Sequence, residues 1–174
     1  MGAIERLPTG RPAYEAPRPI TPEDKLVSFD CGEAALNDWL RRRALKNEGK
    51  ASRTFVVCSA TGDVVAYYTL AAGAVRLPEA PKPLGRSMPN PLPVMVLGRM
   101  AVDKGHASKG LGKGMLKEAM QRVLHAAQSV GARALVVHAV SDEAVTFYTQ
   151  FGFQAFPTGS RTLFLPIETI AKSL

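Results

Sequence analysis

Residues 94–130, VMVLGRMAVDKGHASKGLGKGMLKEAMQRVLHAAQSV, constrain the fold more than any other stretch of this chain. Val94, Met95, Val96, Leu97, Met100, Ala101 and Val102 make a nearly unbroken apolar run, the pattern of a strand covered on both faces. Residues 104–114 then hold four glycines and three lysines. From Met115 the apolar positions Met115, Leu116, Ala119, Val123, Ala127 and Val130 recur at helical spacing. A strand that empties through a glycine loop into a helix leaves unpaired backbone N–H groups and the positive end of the helix dipole at that loop. Such a place favours an anion, typically a phosphate.

The flanking sequence fits a mixed sheet around this unit. Gly131 reads as the helix stop, and residues 133–139 (RALVVHA) read as a second buried strand. Strand, helix and strand in succession imply a parallel pair joined by a crossover. Upstream, residues 53–59 and 63–77 read as strands, and Thr61-Gly62-Asp63 as the tight turn of an antiparallel hairpin. Helices are predicted on both faces of this α/β (α+β) sheet. One covers residues 33–47, with Leu36, Trp39, Leu40 and Ala44 inward and Arg41, Arg42 and Lys46 outward. The lone Trp39 is the expected anchor of that helix. Ser141 caps a short helix through Gln150, with Asp142 and Glu143 suited to its first turn. A last strand covers residues 162–165, and residues 166–174 read as a tail. Five prolines among the first 22 residues predict an extended arm ending in an edge strand. Six prolines in residues 78–93 predict a long surface loop, of a length that tends to be functional.

At 174 residues, 46% hydrophobic and 21% charged, the chain suits one globular domain. No apolar run is long enough to span a membrane, and the N-terminus lacks the apolar centre of a secretory signal, so a cytoplasmic protein is expected. Cys31 and Cys58 lack metal-ligand spacing and read as small buried hydrophobes in a reducing compartment; no metal is expected. Lysine and arginine number 22 against 15 acidic residues, a net charge of +7 that suits a polyanionic partner such as a coenzyme phosphate or nucleic acid.

Residues 109–113, KGLGK, are not a Walker loop, because no Gly-Lys-Ser/Thr ends them, and they lack the three-glycine spacing of a dinucleotide fingerprint. Residues 107–112 instead resemble the GNAT acetyltransferase signature R/Q-x-x-G-x-G/A. Ala107 stands where that signature has Arg or Gln, which removes a side-chain donor and leaves the backbone amides.

Further segments narrow the resemblance: Phe29-Asp30-Cys31-Gly32, residues 51–57 (ASRTFVV), residues 97–103 (LGRMAVD), residues 138–144 (HAVSDEA), and Phe147-Tyr148-x-x-Phe151-Gly152-Phe153. Together they resemble the GNAT toxins of bacterial toxin–antitoxin pairs, over a domain of residues 18–168. An arm at residues 1–17 and a tail at 169–174 lie outside it. The resemblance implies a GNAT fold whose sheet splays at the coenzyme site. It also implies acetyl-CoA held by Met100, Ala101, Val102, Ala107, Ser108, Lys109, Gly110, Leu111, Gly112, Lys113 and Ser141. The implied acceptor is the α-amino group of aminoacyl-tRNA, whose acetylation stops translation. A homodimer, a ribbon-helix-helix antitoxin, and contact with DNA only through the antitoxin complex are implied as well.

Acetyl transfer needs a polarised thioester carbonyl, a neutral amine and a proton for the departing thiolate. Backbone N–H groups near residues 100–102 suit the first. A free α-amine, with a pKa of roughly 7.7 to 8.0, needs no strong base. His138 is the nearest candidate base, though a strand-end histidine is more often satisfied by hydrogen bonds alone. The resemblance assigns the proton to Tyr148, while Phe147, Phe151 and Phe153 read as an aromatic cluster. Arg41, Arg42, Lys46, Arg76, Arg86 and Arg99 are the candidate tRNA contacts. The competing readings are a GNAT enzyme acting on a protein N-terminus or small amine, and a nucleic-acid-binding regulatory module without catalysis.

Overall fold

Among the described residues seven strands make one mixed sheet, ordered β1-β2-β3-β4-β5-β7-β6. They are β1 (Arg18–Pro19), β2 (Arg53–Cys58), β3 (Val64–Val75), β4 (Leu92–Val102), β5 (Ala134–His138), β6 (Gln154–Ala155) and β7 (Thr162–Pro166). Six α-helices accompany them among the described residues: α1 (Ala34–Arg42), α2 (Ala44–Asn47), α3 (Lys82–Gly85), α4 (Leu111–Ala126), α5 (Asp142–Thr149) and α6 (Ile167–Ser173). The computed structural model describes residues 13–174, so residues 1–12 of the proline-rich arm lie outside the described residues. Contacts group the chain into two units, one running to Leu70 and including Arg99–Ala119, the other Ala71–Gly98 with Met120–Leu174.

In the first unit β2 and β3 pair antiparallel from Arg53↔Leu70 to Val57↔Ala66, as the hairpin pattern predicts. Neighbouring residues of a strand point to opposite faces, and Tyr67 and Tyr68 show what covers each. Tyr67 stacks on Trp39 of α1, centroids 6.0 Å apart, and donates to the Leu36 carbonyl at 2.7 Å. Tyr68 stacks on Phe55 and donates to the Glu118 carboxylate of α4. Thus α1 and α4 cover opposite faces of β3 here. Ile20, Phe29, Leu40, Ala44, Val56, Val64 and Ala101 fill the core beside Tyr67. The arm ends in edge strand β1, paired Arg18↔Val56 and Pro19↔Phe55, where a proline's missing donor costs nothing on its outer side. The helix expected over residues 33–47 is broken at Arg43 (φ −118°) into α1 and α2. Leu40 and Ala44 stay buried four residues apart through the break, so periodicity alone does not reveal it.

In the second unit β4 and β5 run parallel, with Met95↔Leu135, Val96↔Val136 and Leu97↔Val137 paired. β7 lies antiparallel to β5 and to the two-residue β6, which is too short to leave a sequence pattern. Residues 78–93 are less loop-like than expected. Leu92 and Pro93 already belong to β4, and α3 with the preceding turn Leu77–Glu79 sinks Ala80 and Leu84 into a core with Val94, Val136, Phe156 and Phe164. Arg133 secures this segment, donating from Nε to the Leu84 carbonyl at 3.1 Å. The tail is helical: Ile170 is fully buried and Glu168 in the first turn of α6 meets Arg133 at 2.7 Å. Seven residues give too little periodicity to predict that helix. Gly131 does not stop α4, which ends at Ala126 and runs out through turns at residues 127–130.

Gly73 on β3 shows how closely β4 approaches. A Cβ there would lie 2.6 Å from Val96 Cγ2, a branched side chain with little freedom to yield. Gly73→Ala should therefore destabilise the protein by about 1–3 kcal/mol in urea unfolding. An unchanged midpoint would mean that the two strands separate easily.

Candidate active site

The end of β4 is pinned before the glycine loop begins. Asp103 takes a backbone bond to Val65 O at 2.7 Å, and its carboxylate accepts from Gly105 N at 2.8 Å and Asp30 N at 2.9 Å. Asp30 returns the contact through Lys104, whose ammonium lies 3.0 Å from its carboxylate and whose N–H donates to its carbonyl at 2.9 Å. The other Asp30 oxygen accepts from Gly32 N and Asn37 Nδ2, at 2.9 and 3.0 Å. The Phe29-Asp30-Cys31-Gly32 segment thus ties the entry of α1 to the exit of β4. Those donors, the Gly32 amide first and Lys104 next, hold the Asp30 carboxyl down at about 2.

Beyond this clamp the turn Lys104–His106 leads into residues 107–110, all exposed. Ser108 (φ 62°) and Gly110 (φ 78°) are left-handed, and a Cβ on Gly110 would meet no atom within 4 Å. α4 starts at Leu111, four residues before the first position that periodicity marks. Gly112, Lys113 and Gly114 lie in its first turn, where low helix propensity hides the start. The first helical bond runs from Gly114 N to Gly110 O at 3.0 Å. The amides of Leu111, Gly112 and Lys113 are therefore not used by the helix, and the exposed Lys109 and Lys113 lie beside them in sequence. Residues 107–113 thus combine exposed left-handed backbone with amides unused by the helix, and Ala107 adds no side-chain donor.

Met100, Ala101 and Val102 lie on β4, Ala101 buried and the other two half-buried. The paired residues of β4 and β5 end at Leu97 and Val137, although β4 runs on to Val102. Ser141 serves the backbone, since its hydroxyl accepts from Ala144 N at 3.1 Å and caps α5. Two turns on, Tyr148 is 8% exposed, with Phe147 and Phe153 rings 5.2 and 5.4 Å away. Its hydroxyl has no hydrogen-bond partner among the described residues, and burial pushes the phenol up to about 12. Phe147 also meets Phe151 at 5.2 Å, so the expected aromatic cluster forms and includes Tyr148. His138 is exposed, with Nδ1 3.0 Å from Thr162 Oγ1.

The six candidate tRNA contacts differ in how free they are. Arg42, Lys46 and Arg86 are exposed and have no ion-pair partner among the described residues. Arg41 donates to the Phe29 carbonyl, and Arg76 lies 3.9 Å from Glu79. Arg99 lies over the Trp39 ring at 4.2 Å, which gives it a packing role on α1. Sequence reasoning missed the Asp103 clamp, signalled only by an Asp two residues before a Gly. It also missed a hydrogen bond between Tyr14 and His106, which are 92 residues apart and leave no local signal.

The clamped end of β4, the left-handed glycine loop and the unused helix N-terminus all fall inside the segment that a known family covers. A model described as an acetyltransferase (GNAT) domain matches residues 51–155, and the chain belongs to the GNAT acetyltransferase family. It is 46% identical over 153 residues to a tRNA-acetylating toxin of Mycobacterium tuberculosis, covering 87% of this chain and 92% of that protein. Among solved structures it resembles AtaT complexed with acetyl-methionyl-tRNAfMet (TM-score 0.83, 30% identity, 92% of this chain and 98% of the other). It also resembles a tyrosine-to-phenylalanine variant of the AtaT toxin bound to acetyl-CoA and the C-terminus of the antitoxin AtaR (TM-score 0.78, 29% identity, 92% and 98% covered).

The clamp makes a titration prediction. Asp30 is depressed from 3.8 to about 2, so the stability it contributes is complete above the higher value and is lost as pH falls through the lower one. In a carboxyl-resolved NMR titration Asp30 should protonate near 2, and Lys104→Met should move it part of the way up. An Asp30 that titrates near 3.8 in both proteins would contradict the clamp.

Proposed function

We propose that the chain is a toxin that transfers acetyl from acetyl-CoA to the α-amino group of aminoacyl-tRNA, so that the acylated tRNA no longer supports elongation. The observation that carries this reading is the 46% identity, over 87% of the chain, to a tRNA-acetylating toxin. The site supports it chemically. Acetyl-CoA, when bound, supplies the acyl group as a thioester. The amides of Leu111, Gly112 and Lys113, with Ala107, Ser108, Lys109 and Gly110, hold its pyrophosphate, and Lys109 and Lys113 add positive charge. The backbone at Met100, Ala101 and Val102 polarises the carbonyl. Ser141 acts by starting α5 in the right place for Tyr148.

Tyr148 donates to the sulfur as the C–S bond breaks and the N–C bond forms. The amine sheds one proton and the thiolate takes one up, so solvent restores the phenol and the balance closes. Burial suits this role, because a phenol raised to about 12 is protonated at every working pH. No strong base is needed for an amine that is partly neutral at pH 7, and His138 stays a strand-end residue. Arg42, Lys46, Arg86 and Arg76 contact tRNA phosphates from exposed positions, whereas Arg41 is bonded to the Phe29 carbonyl and Arg99 lies on Trp39.

By the same reading the protein works in the cytoplasm as a homodimer, and a ribbon-helix-helix antitoxin neutralises it and carries the complex to DNA. The solved relative bound to its antitoxin's C-terminus supports the antitoxin part. No helix among the described residues is long and apolar enough to cross a membrane.

The deciding experiment is transfer of labelled acetyl from acetyl-CoA to a pool of charged tRNA. Wild type should label the aminoacyl moiety, and Tyr148→Phe should lower kcat by about 10²–10³-fold while acetyl-CoA affinity holds. The rate should rise with pH as the amine loses its proton and stay level to about pH 9.5, because the buried phenol is still protonated there. Label on protein N-termini or small amines instead of tRNA would overturn the acceptor, and a fully active Tyr148→Phe would overturn the acid.

A further inference from the structure

We propose that Tyr14 and His106 are a positioning pair that sets the course of the coenzyme loop, so that the N-terminal segment tunes acetyl-CoA affinity. The proposal rests on the reading of residues 107–113 as the pyrophosphate cradle.

Tyr14 is 4% exposed, and its hydroxyl lies 2.8 Å from His106 Nδ1. The two rings meet edge to face, centroids 5.5 Å apart at 78°. Tyr14 is held independently of the loop. It bridges to Ser59, and the next residue donates from Glu15 N to Cys58 O at 2.9 Å, at the end of β2. His106 closes the turn Lys104–His106, and the cradle starts at the next residue.

The loop needs such an anchor. Residues 107–110 are exposed, and Ser108 at φ 62° occupies a region that a serine rarely adopts. Conformations of this kind persist where the surroundings fix both ends. α4 fixes one end at Leu111. At the other end the Asp103 clamp reaches only as far as Gly105 and the His106 N–H, which donates to Asp103 O at 2.9 Å. The His106 ring is then held by Tyr14. A cavity of about 480 Å³, lined by both rings with Ser59, Thr61, Asp63 and Asp103, opens beside the pair. An imidazole released by Tyr14 has room to turn into it, and the loop loses its fixed start.

Tyr14→Phe keeps the ring and its packing and removes only the hydroxyl. Calorimetry with acetyl-CoA should show a Kd raised about fivefold, the worth of one neutral hydrogen bond, with kcat at saturating coenzyme unchanged. His106→Ala should raise Kd similarly, and the double variant should add nothing, since both changes remove the same contact. Tyr67→Phe is the control, because it removes an equally buried hydroxyl bonded to Leu36 O, away from the loop, and should leave Kd alone. Wild-type binding with an unshifted Tyr14→Phe, an equal rise in Tyr67→Phe, or additive single effects would each overturn the pair's role and leave the coenzyme reading intact. A wild type that binds no acetyl-CoA would overturn the coenzyme reading itself, and the pair's role with it.

Discussion

Two carboxylates decide where β4 stops being a strand. Asp103 satisfies the amides of Gly105 and Asp30, and Asp30 satisfies Gly32, Asn37 and Lys104. A charged acceptor bonded to several donors is worth roughly twice a neutral one, and a cluster of them over-determines the backbone it holds. Without that clamp the glycine loop would be a flexible connection between a strand and a helix. With it, the loop starts from a fixed strand end, and the left-handed Ser108 and Gly110 lead on to the unused amides of α4. In the proposed site the donors are mostly backbone, so Ala107 removes only one side-chain donor where the family signature has a longer polar residue.

Much of this was legible in the amino-acid order alone. The apolar run into a glycine loop marked β4 and α4, and the hairpin and the cap of α5 at Ser141 followed from turn and capping chemistry. Tyr148 stood out because its motif did. The sequence was silent where structure comes from pairs far apart in the chain, as in Tyr14 with His106 and Tyr68 with Glu118. It misled where local pattern is weak. Glycines in the first turn of α4 disguised its start, proline-rich residues 78–93 hid a packed turn and α3, and the short α6 passed for a tail. The arginines differ in ways that composition does not show: Arg41 is exposed yet bonded to the Phe29 carbonyl, and the half-buried Arg99 lies on Trp39.

The chemistry asks little of side chains. The acceptor amine is already partly neutral near pH 7, so the enzyme needs no strongly perturbed base. What the proposed reaction needs is a proton that stays in place, and burial alone raises the Tyr148 phenol so that it keeps one. The proposed reaction assigns the specific work to backbone amides and to Tyr148, and it leaves the exposed Arg42, Lys46 and Arg86 for a polyanionic substrate. On the proposed function, that division would let a basic chain of ordinary composition act on tRNA with few conspicuous polar residues in its site.

The most direct measurement is a backbone amide chemical-shift map on adding coenzyme A to the 15N-labelled protein. The account predicts large shifts at Gly110, Leu111, Gly112 and Lys113, and at Met100, Ala101 and Val102 on β4. Shifts confined to the cavity residues around Ser59, Thr61 and Asp63, or no shifts at saturating coenzyme, would contradict it.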